Sequence, residues 1–206
     1  MADYKKPDYW QLKARQEGYP ARSVYKLMEM DEKFGLFRPG QANQSPAGLP
    51  FSVLDLGAAP GSWAQYIAQE FPKSKIIAMD LLAIKPIPGV EFYQGDFTTD
   101  EALEWLHQQT DHADIVLSDM APNTTGHQKT DHLRQMTLLE YAWDFAKQTL
   151  KPGGTFVAKS FTGGTTGEIL ADIKKSFASV HHIKPAASRK DSVEMFIIGI
   201  GFKNDL

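Results

Sequence analysis

The sequence predicts an α/β fold, with a mostly parallel β-sheet covered by helices on both faces. Two observations carry this prediction. Short apolar runs rich in β-branched residues alternate with segments of helical periodicity, a pattern typical of strands joined by helices. One of these runs breaks directly into glycine, alanine and proline, in the stretch VLDLGAAPGSW at 53–63. Ligands of such sheets bind beyond the carboxyl ends of the strands, where this loop should lie.

The chain of 206 residues is long enough for one sizeable core, and we expect residues 1–206 to form a single domain. Residues 1–38 form a basic helical segment, 39–50 a loop insertion rich in turn-forming residues, and 51–206 the core. The apolar spacing from Val24 to Phe34 predicts a helix with Ser23 as its N-cap and Gly35 as its end.

The core contains the alternating elements. Apolar runs predict strands at 52–56, 75–79, 90–94, 114–118, 154–159 and 195–202. Helical patterns lie at 63–71, 98–109, 131–150 and 166–177. No helical pattern separates the apolar stretch near residue 180 from the last run, which predicts an antiparallel C-terminal edge to the sheet.

The composition excludes several classes of protein. The chain has no cysteine, which excludes a disulfide scaffold, a thiolate metal site and a cysteine nucleophile. The histidines show no paired ligand spacing, and we expect no metal. The first ten residues lack the apolar segment of a signal peptide, and no apolar run approaches the ~18 residues of a membrane span. We therefore expect a cytoplasmic protein that has no membrane partner and acts as a monomer.

The charge is segregated along the chain. The net charge is -3, but residues 5–26 carry six basic and two acidic side chains, and residues 147–190 carry eight basic and two acidic. Residues 76–146 carry three basic and twelve acidic. Such blocks can form a basic face that grips phosphates, or they can be unrelated solvated faces.

The glycine loop favours a nucleoside cofactor without phosphates. Its glycines, Gly57 and Gly61, are spaced G-x-x-x-G, which is neither the dinucleotide fingerprint nor a phosphate-binding P-loop. Pro60 also lacks the N–H that a phosphate cradle would use. S-adenosylmethionine (SAM) is the cofactor that fits these observations.

Three acids follow strand ends in positions where SAM needs acceptors. Asp80 lies about 20 residues beyond the glycines, where an acid accepts hydrogen bonds from ribose hydroxyls. Asp96 follows the third strand and can accept from the adenine amino group. Asp55 can hold the loop or reach the amino-acid moiety through water. The alternative is that these acids only cap helices.

The sequence resembles the FtsJ/RrmJ ribosomal RNA 2′-O-ribose methyltransferases from about Trp10 to Phe202. The matching stretches are ARSVYKL, LDLGAAPGSW, DLLAIKPIPGVEFYQGDF, VLSDMAPNTTG, LKPGGTFVAKSF and SRKDSVEMFIIGIGF. The resemblance implies a Rossmann-like class I SAM methyltransferase fold. It implies a catalytic Lys-Asp-Lys-Glu tetrad at Lys26, Asp119, Lys159 and Glu194. The SAM contacts that we expect are at Asp55, Gly57, Pro60, Gly61, Trp63, Asp80, Leu81, Asp96, Phe97 and Asp119.

The chemistry explains why such a tetrad is needed. A ribose 2′-hydroxyl is a poor nucleophile, so its proton must be removed or its developing negative charge stabilised. A lysine base needs a lowered pKa, which the neighbouring Lys26 would favour at Lys159. Asp119 and Glu194 act in the opposite direction, so a charged Lys159 that stabilises an alkoxide is the alternative. Without the resemblance, Lys26 could be a solvated helix residue, and Lys159 with Glu194 a structural ion pair.

The resemblance implies RNA as the partner, with a uridine in large-subunit ribosomal RNA as the expected target. Two alternatives stay open: the same reaction on transfer RNA, and a non-catalytic RNA-binding factor for ribosome assembly. We expect phosphate contacts at Arg15, Arg22, Arg189 and Lys190, and base stacking on Tyr19 or Tyr25. Ser62 stands where the family more often has glycine, a change that SAM binding should tolerate.

Overall fold

The computed structural model describes residues 7–37, 50–122, 125–161, 167–189 and 192–203. It contains a seven-stranded sheet in the order β3-β2-β1-β4-β5-β7-β6. The strands are β1 (Ser52–Leu56), β2 (Lys75–Asp80), β3 (Val90–Gln94), β4 (Ala113–Ser118), β5 (Leu150–Phe161), β6 (Phe177–Ile183) and β7 (Glu194–Phe202). The helices are α1 (Tyr9–Gln16), α2 (Val24–Phe34), α3 (Ser62–Glu70), α4 (Asp100–Gln109), α5 (Gln128–Thr149) and α6 (Gly167–Ser176).

The sheet confirms the predicted fold class, with one refinement at its C-terminal side. Strands β1 to β5 pair in parallel, whereas β7 pairs antiparallel with β5 and with β6. The antiparallel strand β7 is therefore inserted between β5 and β6, and β6 forms the edge. Only the two terminal residues of β6, Phe177 and Ile183, are buried, and an edge strand can leave the residues between them open to solvent.

The core has two parts, one on each face of the sheet. Val53 and Leu54 point to opposite faces because side chains alternate along a strand. Val53 belongs to a cluster that includes residues of α2 and α3, and Leu54 to a cluster that includes residues of α4, α5 and α6. Helices on both faces explain why every residue of β1 is buried.

The start of α2 differs from the prediction. Gly35 ends the helix in the left-handed conformation, with φ of 65°, as predicted. Ser23, however, makes no side-chain cap because its backbone is already helical. Its carbonyl oxygen instead accepts hydrogen bonds from the Lys26 amide and from the Trp63 indole N–H. Ser23 therefore occupies the predicted N-cap position, but its side chain does not cap the helix.

Most of the predicted insertion at 39–50 lies outside the described residues. Within the described ranges, no helix is long and apolar enough to cross a membrane. The same ranges contain no group of three or more histidine or carboxylate side chains that could hold a metal ion.

Candidate active site

The loop after β1 is folded tightly across the end of β2. Gly57 and Ala58 donate their amide hydrogens to the carbonyl oxygen of Met79, at 2.9 and 3.2 Å. Gly57 has a φ of 74°, and a Cβ there would collide with Cγ of Met120. Gly61 is the N-cap residue of α3 and has a φ of 101°. Only glycine meets both demands at position 57, a left-handed backbone and a close neighbour.

Asp80 fixes this loop through two backbone hydrogen bonds. Its Oδ2 accepts a hydrogen bond from the Ala59 amide and its Oδ1 one from the Leu82 amide, both at 2.8 Å. A carboxylate oxygen has two lone pairs, so each oxygen keeps acceptor capacity for ribose hydroxyls. Leu81 lies between these contacts and is 67% exposed.

Asp96 lies beyond the end of β3, as predicted. Its Oδ1 accepts hydrogen bonds from the amide and the hydroxyl of Thr98, while the residue as a whole is exposed. Phe97 is buried and packs its ring edge to face against Phe145, with ring centroids 5.5 Å apart. The loop after β3 is thus anchored by Phe97 and presents the Asp96 carboxylate outward.

Asp55 is a buried acid near the end of β1, just before the loop. It is 1% exposed, and its Oδ2 has no hydrogen-bond partner among the described residues. Burial raises the pKa of Asp55 to about 8, and the nearby carboxylates of Asp119 and Asp80 act in the same direction. Buried polar atoms are nearly always hydrogen-bonded. A bound ligand with a hydrogen-bond donor would supply the partner that Asp55 Oδ2 lacks.

The loop and its acids fit SAM. Three carboxyl groups, Asp55, Asp80 and Asp96, surround a loop that offers no phosphate cradle, and SAM carries a sulfonium, an ammonium and two ribose hydroxyls. Trp63, which the resemblance places among the SAM contacts, is buried in the protein. It is 3% exposed, and its indole N–H donates to the Ser23 carbonyl at 2.8 Å, which ties the loop to α2.

The four predicted catalytic residues meet at one point. Lys26 lies on α2, Asp119 follows β4, Lys159 lies near the end of β5, and Glu194 begins β7. In the β5–β7 ladder Glu194 pairs with Phe161, two residues after Lys159, so both charged side chains lie on the same face. The structure brings all four together from four elements.

The tetrad alternates in charge. Lys26 Nζ lies 2.6 Å from Glu194 Oε1 and 3.8 Å from Asp119 Oδ1. Lys159 Nζ lies 2.6 Å from Asp119 Oδ1 and 3.7 Å from Glu194 Oε2. The Lys159 ammonium also donates to the backbone carbonyl of Asp119, at 2.8 Å. Each lysine therefore forms a close ion pair with one carboxylate and lies near the other.

The electrostatics of the tetrad favour charged side chains. Burial alone would lower the pKa of Lys159, but the carboxylates of Asp119 and Glu194 outweigh burial and raise it. Burial alone would raise the pKa of Glu194, but Lys159 and Lys26 outweigh it and lower it. The raised pKa of Lys159 favours the alternative of a charged Lys159, because two carboxylates lie close to its ammonium.

Two buried serines, one of which the sequence analysis had noted only as a departure from the family, support the site. Ser188 is buried, and its hydroxyl donates to Glu194 Oε1 at 2.9 Å. Ser62 is 1% exposed, and its hydroxyl accepts the amide hydrogen of Ala21 at 2.8 Å. The Ser62 contact joins the cofactor loop to the segment that leads into α2. A buried hydroxyl leaves no pattern in the sequence that would have identified either contact.

The predicted RNA contacts divide into two groups. Arg15 and Arg189 are exposed. Arg22 instead forms an ion pair with Asp8 and donates to the Ala187 carbonyl, so its guanidinium joins α1 to the 187–189 loop. Tyr25 is 5% exposed and packs in the core, which makes the expected base stacking there wrong.

Tyr19 is partly exposed, and its hydroxyl donates to Gln69 Oε1 at 3.1 Å. Lys190 lies outside the described residues.

Comparison with known proteins identifies the family. The model of the FtsJ-like methyltransferases matches residues 19–202. The chain belongs to the FtsJ-like methyltransferase family. A relative from Novosphingobium aromaticivorans named ribosomal RNA large subunit methyltransferase E is 51% identical over 197 residues, which span 95% of this chain and 84% of the relative.

Two further matches agree with this assignment to the family. A Bradyrhizobium protein of the same name is 46% identical over 201 residues, spanning 95% of this chain and 83% of the relative. A crystal structure of a ribosomal RNA methyltransferase from Plasmodium falciparum superposes with a TM-score of 0.75 at 30% identity. That match covers 89% of this chain and 98% of the other chain. The range that matches the family model contains both the loop and the tetrad.

Proposed function

We propose that the chain methylates a ribose 2′-hydroxyl of large-subunit ribosomal RNA with SAM as the methyl donor. The observation that carries the proposal is the alternating tetrad, buried beside a loop that fits SAM. The names of the relatives support the substrate class. A uridine is the target nucleotide that we expect.

The loop residues hold the cofactor in this proposal. Asp80 accepts hydrogen bonds from the ribose hydroxyls, Asp96 accepts one from the adenine amino group, and Asp55 faces the amino-acid moiety. Leu81, Phe97 and the glycines shape the walls. When bound, SAM supplies an electrophilic methyl group on a sulfonium.

The tetrad acts on the acceptor hydroxyl. Charged Lys159 donates a hydrogen bond to the 2′-oxygen and stabilises the negative charge that develops there. As Lys159 takes the hydroxyl proton, it passes one of its own protons to Asp119, whose Oδ1 lies 2.6 Å away. The hydroxyl thus loses one proton and Asp119 gains one. Lys26 and Glu194 keep Lys159 oriented during this transfer.

The protein presents RNA contacts around this site. Exposed Arg15 and Arg189 bind phosphates, and Lys190 continues the same basic segment. Arg22 supports them indirectly, since it holds α1 against the 187–189 loop. Arg15→Glu and Arg189→Glu should raise KM for RNA and lessen its salt dependence, with SAM affinity unchanged. An unchanged KM for RNA would place the interface elsewhere.

The proposed enzyme acts as a monomer, in the cytoplasm, on ribosomal RNA of the large subunit and without a metal. One chain supplies all four tetrad side chains, which supports the monomer. Lysine ammonium groups already bind both tetrad carboxylates, which supports a metal-independent reaction. A metal-independent enzyme should keep its activity in EDTA. A monomer should show the same activity per mole of protein at all protein concentrations.

Transfer of radiolabelled methyl from SAM tests the function. The acceptors are large ribosomal subunits, free ribosomal RNA and transfer RNA, all from cells that lack the enzyme. We expect ribose-methyl label on ribosomal RNA, lowered about 100-fold or more in Lys159→Met. Lys33→Met, an exposed lysine on α2, is the matched control and should retain activity.

The other outcomes separate the alternatives. Label on transfer RNA alone would keep the chemistry and overturn the substrate. SAM binding without label on any RNA would favour a non-catalytic assembly factor. Label on a base instead of a ribose would overturn the role given to the tetrad.

A further inference from the structure

Gln135 is a buried amide that lies directly behind the tetrad. It lies on α5 and is 1% exposed, on a helix that packs apolar side chains such as Met136 and Leu139 in the core. Its Nε2 donates to the carbonyl oxygen of Met120 at 3.2 Å and to that of Lys159 at 3.1 Å. An amide nitrogen has two hydrogens, so both are used.

These two carbonyl groups lie just beyond the point at which strands β4 and β5 stop pairing. The β4–β5 ladder ends at the pair Ser118 and Ala158. Asp119 and Lys159 follow immediately, beyond the last backbone pairing of these two strands. On its other side β5 is still held by β7, through the pair Lys159 and Phe196. On the β4 side, the Gln135 amide takes the place of the missing ladder.

The orientation of the amide follows from its surroundings. The opposite orientation would place Oε1 against two carbonyl oxygens, which repel it. In the orientation observed, Oε1 is buried without a hydrogen-bond partner among the described residues. Burial of an unpaired acceptor is unfavourable, so packing alone would favour an apolar residue here. Gln135 therefore makes the folded protein less stable than an apolar residue would, at a position where its amide joins two strand ends.

We propose that Gln135 is a positioning residue for methyl transfer, which ties the ends of β4 and β5 together and so fixes Lys159 against Asp119. It acts through these two residues and touches no substrate. The inference rests on the proposed function. Displacement of a reacting group by about 1 Å can cost 100-fold in rate, so loss of the bridge should lower kcat far more than it changes KM.

The test compares Gln135→Met, which keeps the bulk but donates no hydrogen bond, with Gln148→Met as control. Gln148 lies on the same helix, is exposed and donates only to the Asp144 carbonyl within α5. We expect Gln135→Met to lower kcat about 10- to 100-fold, with KM for RNA and Kd for SAM within about threefold. Gln148→Met should match the wild type.

The pH dependence gives a readout that general destabilisation would not move. A looser contact with Asp119 supports the charge of Lys159 less well, so the pKa of Lys159 falls. The limb of the kcat–pH profile that Lys159 governs should therefore move to lower pH in Gln135→Met. The wild type and Gln148→Met should share one profile.

Gln135→Ala is the second variant, for the case that the Gln135→Met protein does not fold. Alanine has the highest helix propensity and also donates no side-chain hydrogen bond. If folded Met or Ala variants keep kcat within twofold and the same pH limb, the proposal is wrong. If neither variant folds, Gln135 is a folding residue and the proposal is also wrong. If the wild type itself transfers no methyl to RNA, the proposed function fails instead.

Discussion

Replacement of Asp55 by asparagine should stabilise the protein at neutral pH. Asparagine keeps the shape of the side chain and an oxygen for the Ala64 amide, which bonds Asp55 in the native protein. It removes a carboxyl that is 1% exposed and whose pKa is raised from 3.8 to about 8. An acid that is harder to ionise in the folded state destabilises that state once the unfolded chain ionises.

The sign and the size of the effect follow from the two pKa values. Below about pH 4, both states are protonated and Asp55 contributes nothing. From about pH 4 to 8, only the unfolded chain loses its proton, so stability falls as the pH rises. Above about pH 8, both states are ionised and the loss is constant. About four pKa units at 1.36 kcal/mol each give an upper limit of about 5 kcal/mol.

A measured difference of about 2 kcal/mol at pH 8 is what we expect, since the protein relaxes around a new charge. Urea unfolding of both proteins without SAM, from pH 4 to 9, measures it. The difference in the free energy of unfolding should widen up to about pH 8. Asp111→Asn, an exposed acid, is the control and should parallel the wild type. Parallel curves for Asp55→Asn would mean that Asp55 is ionised or hydrated in the folded protein.

Three further predictions concern the loop and the tetrad. Gly57→Ala should weaken SAM binding at least tenfold and lower the thermal midpoint, because the new Cβ meets Met120 in a left-handed backbone; unchanged calorimetric affinity would contradict this. Ser188→Ala should lower kcat about three- to tenfold with normal SAM affinity, since Glu194 loses a hydrogen bond worth about 1 kcal/mol. Glu194→Gln should lower the pKa of Lys159 and shift the kcat–pH profile to lower pH, and a profile that stays in place would show that Glu194 does not support the Lys159 charge.

Much of the fold could be predicted because its signals are local. Periods of two and of about 3.6 residues located β1, α3 and their neighbours to within a few residues. The glycine loop, Asp80 and Asp96 followed from spacing along the chain. The resemblance to a family named the tetrad, whose members come from four separate elements and share no local pattern.

Several features could not be predicted because they depend on neighbours that are distant in the sequence. The position of β7 between β5 and β6 depends on backbone pairing with both strands, and no local sequence pattern specifies which strands pair. Arginine is a residue type that often binds phosphate, yet the Arg22 guanidinium is already paired with Asp8 and with the backbone carbonyl of Ala187.

The α/β architecture and the cofactor loop could be predicted from the sequence alone because they depend on local periodicity and motif spacing, whereas the charged residues of the tetrad came from the family resemblance. The tertiary structure decided what those charges do. Lys159 is held charged because Asp119 and Glu194 reach it from two other strand ends, and Asp55 is held neutral because the core surrounds it. The energy of a charge depends on its burial and on its nearest partners, and folding sets both.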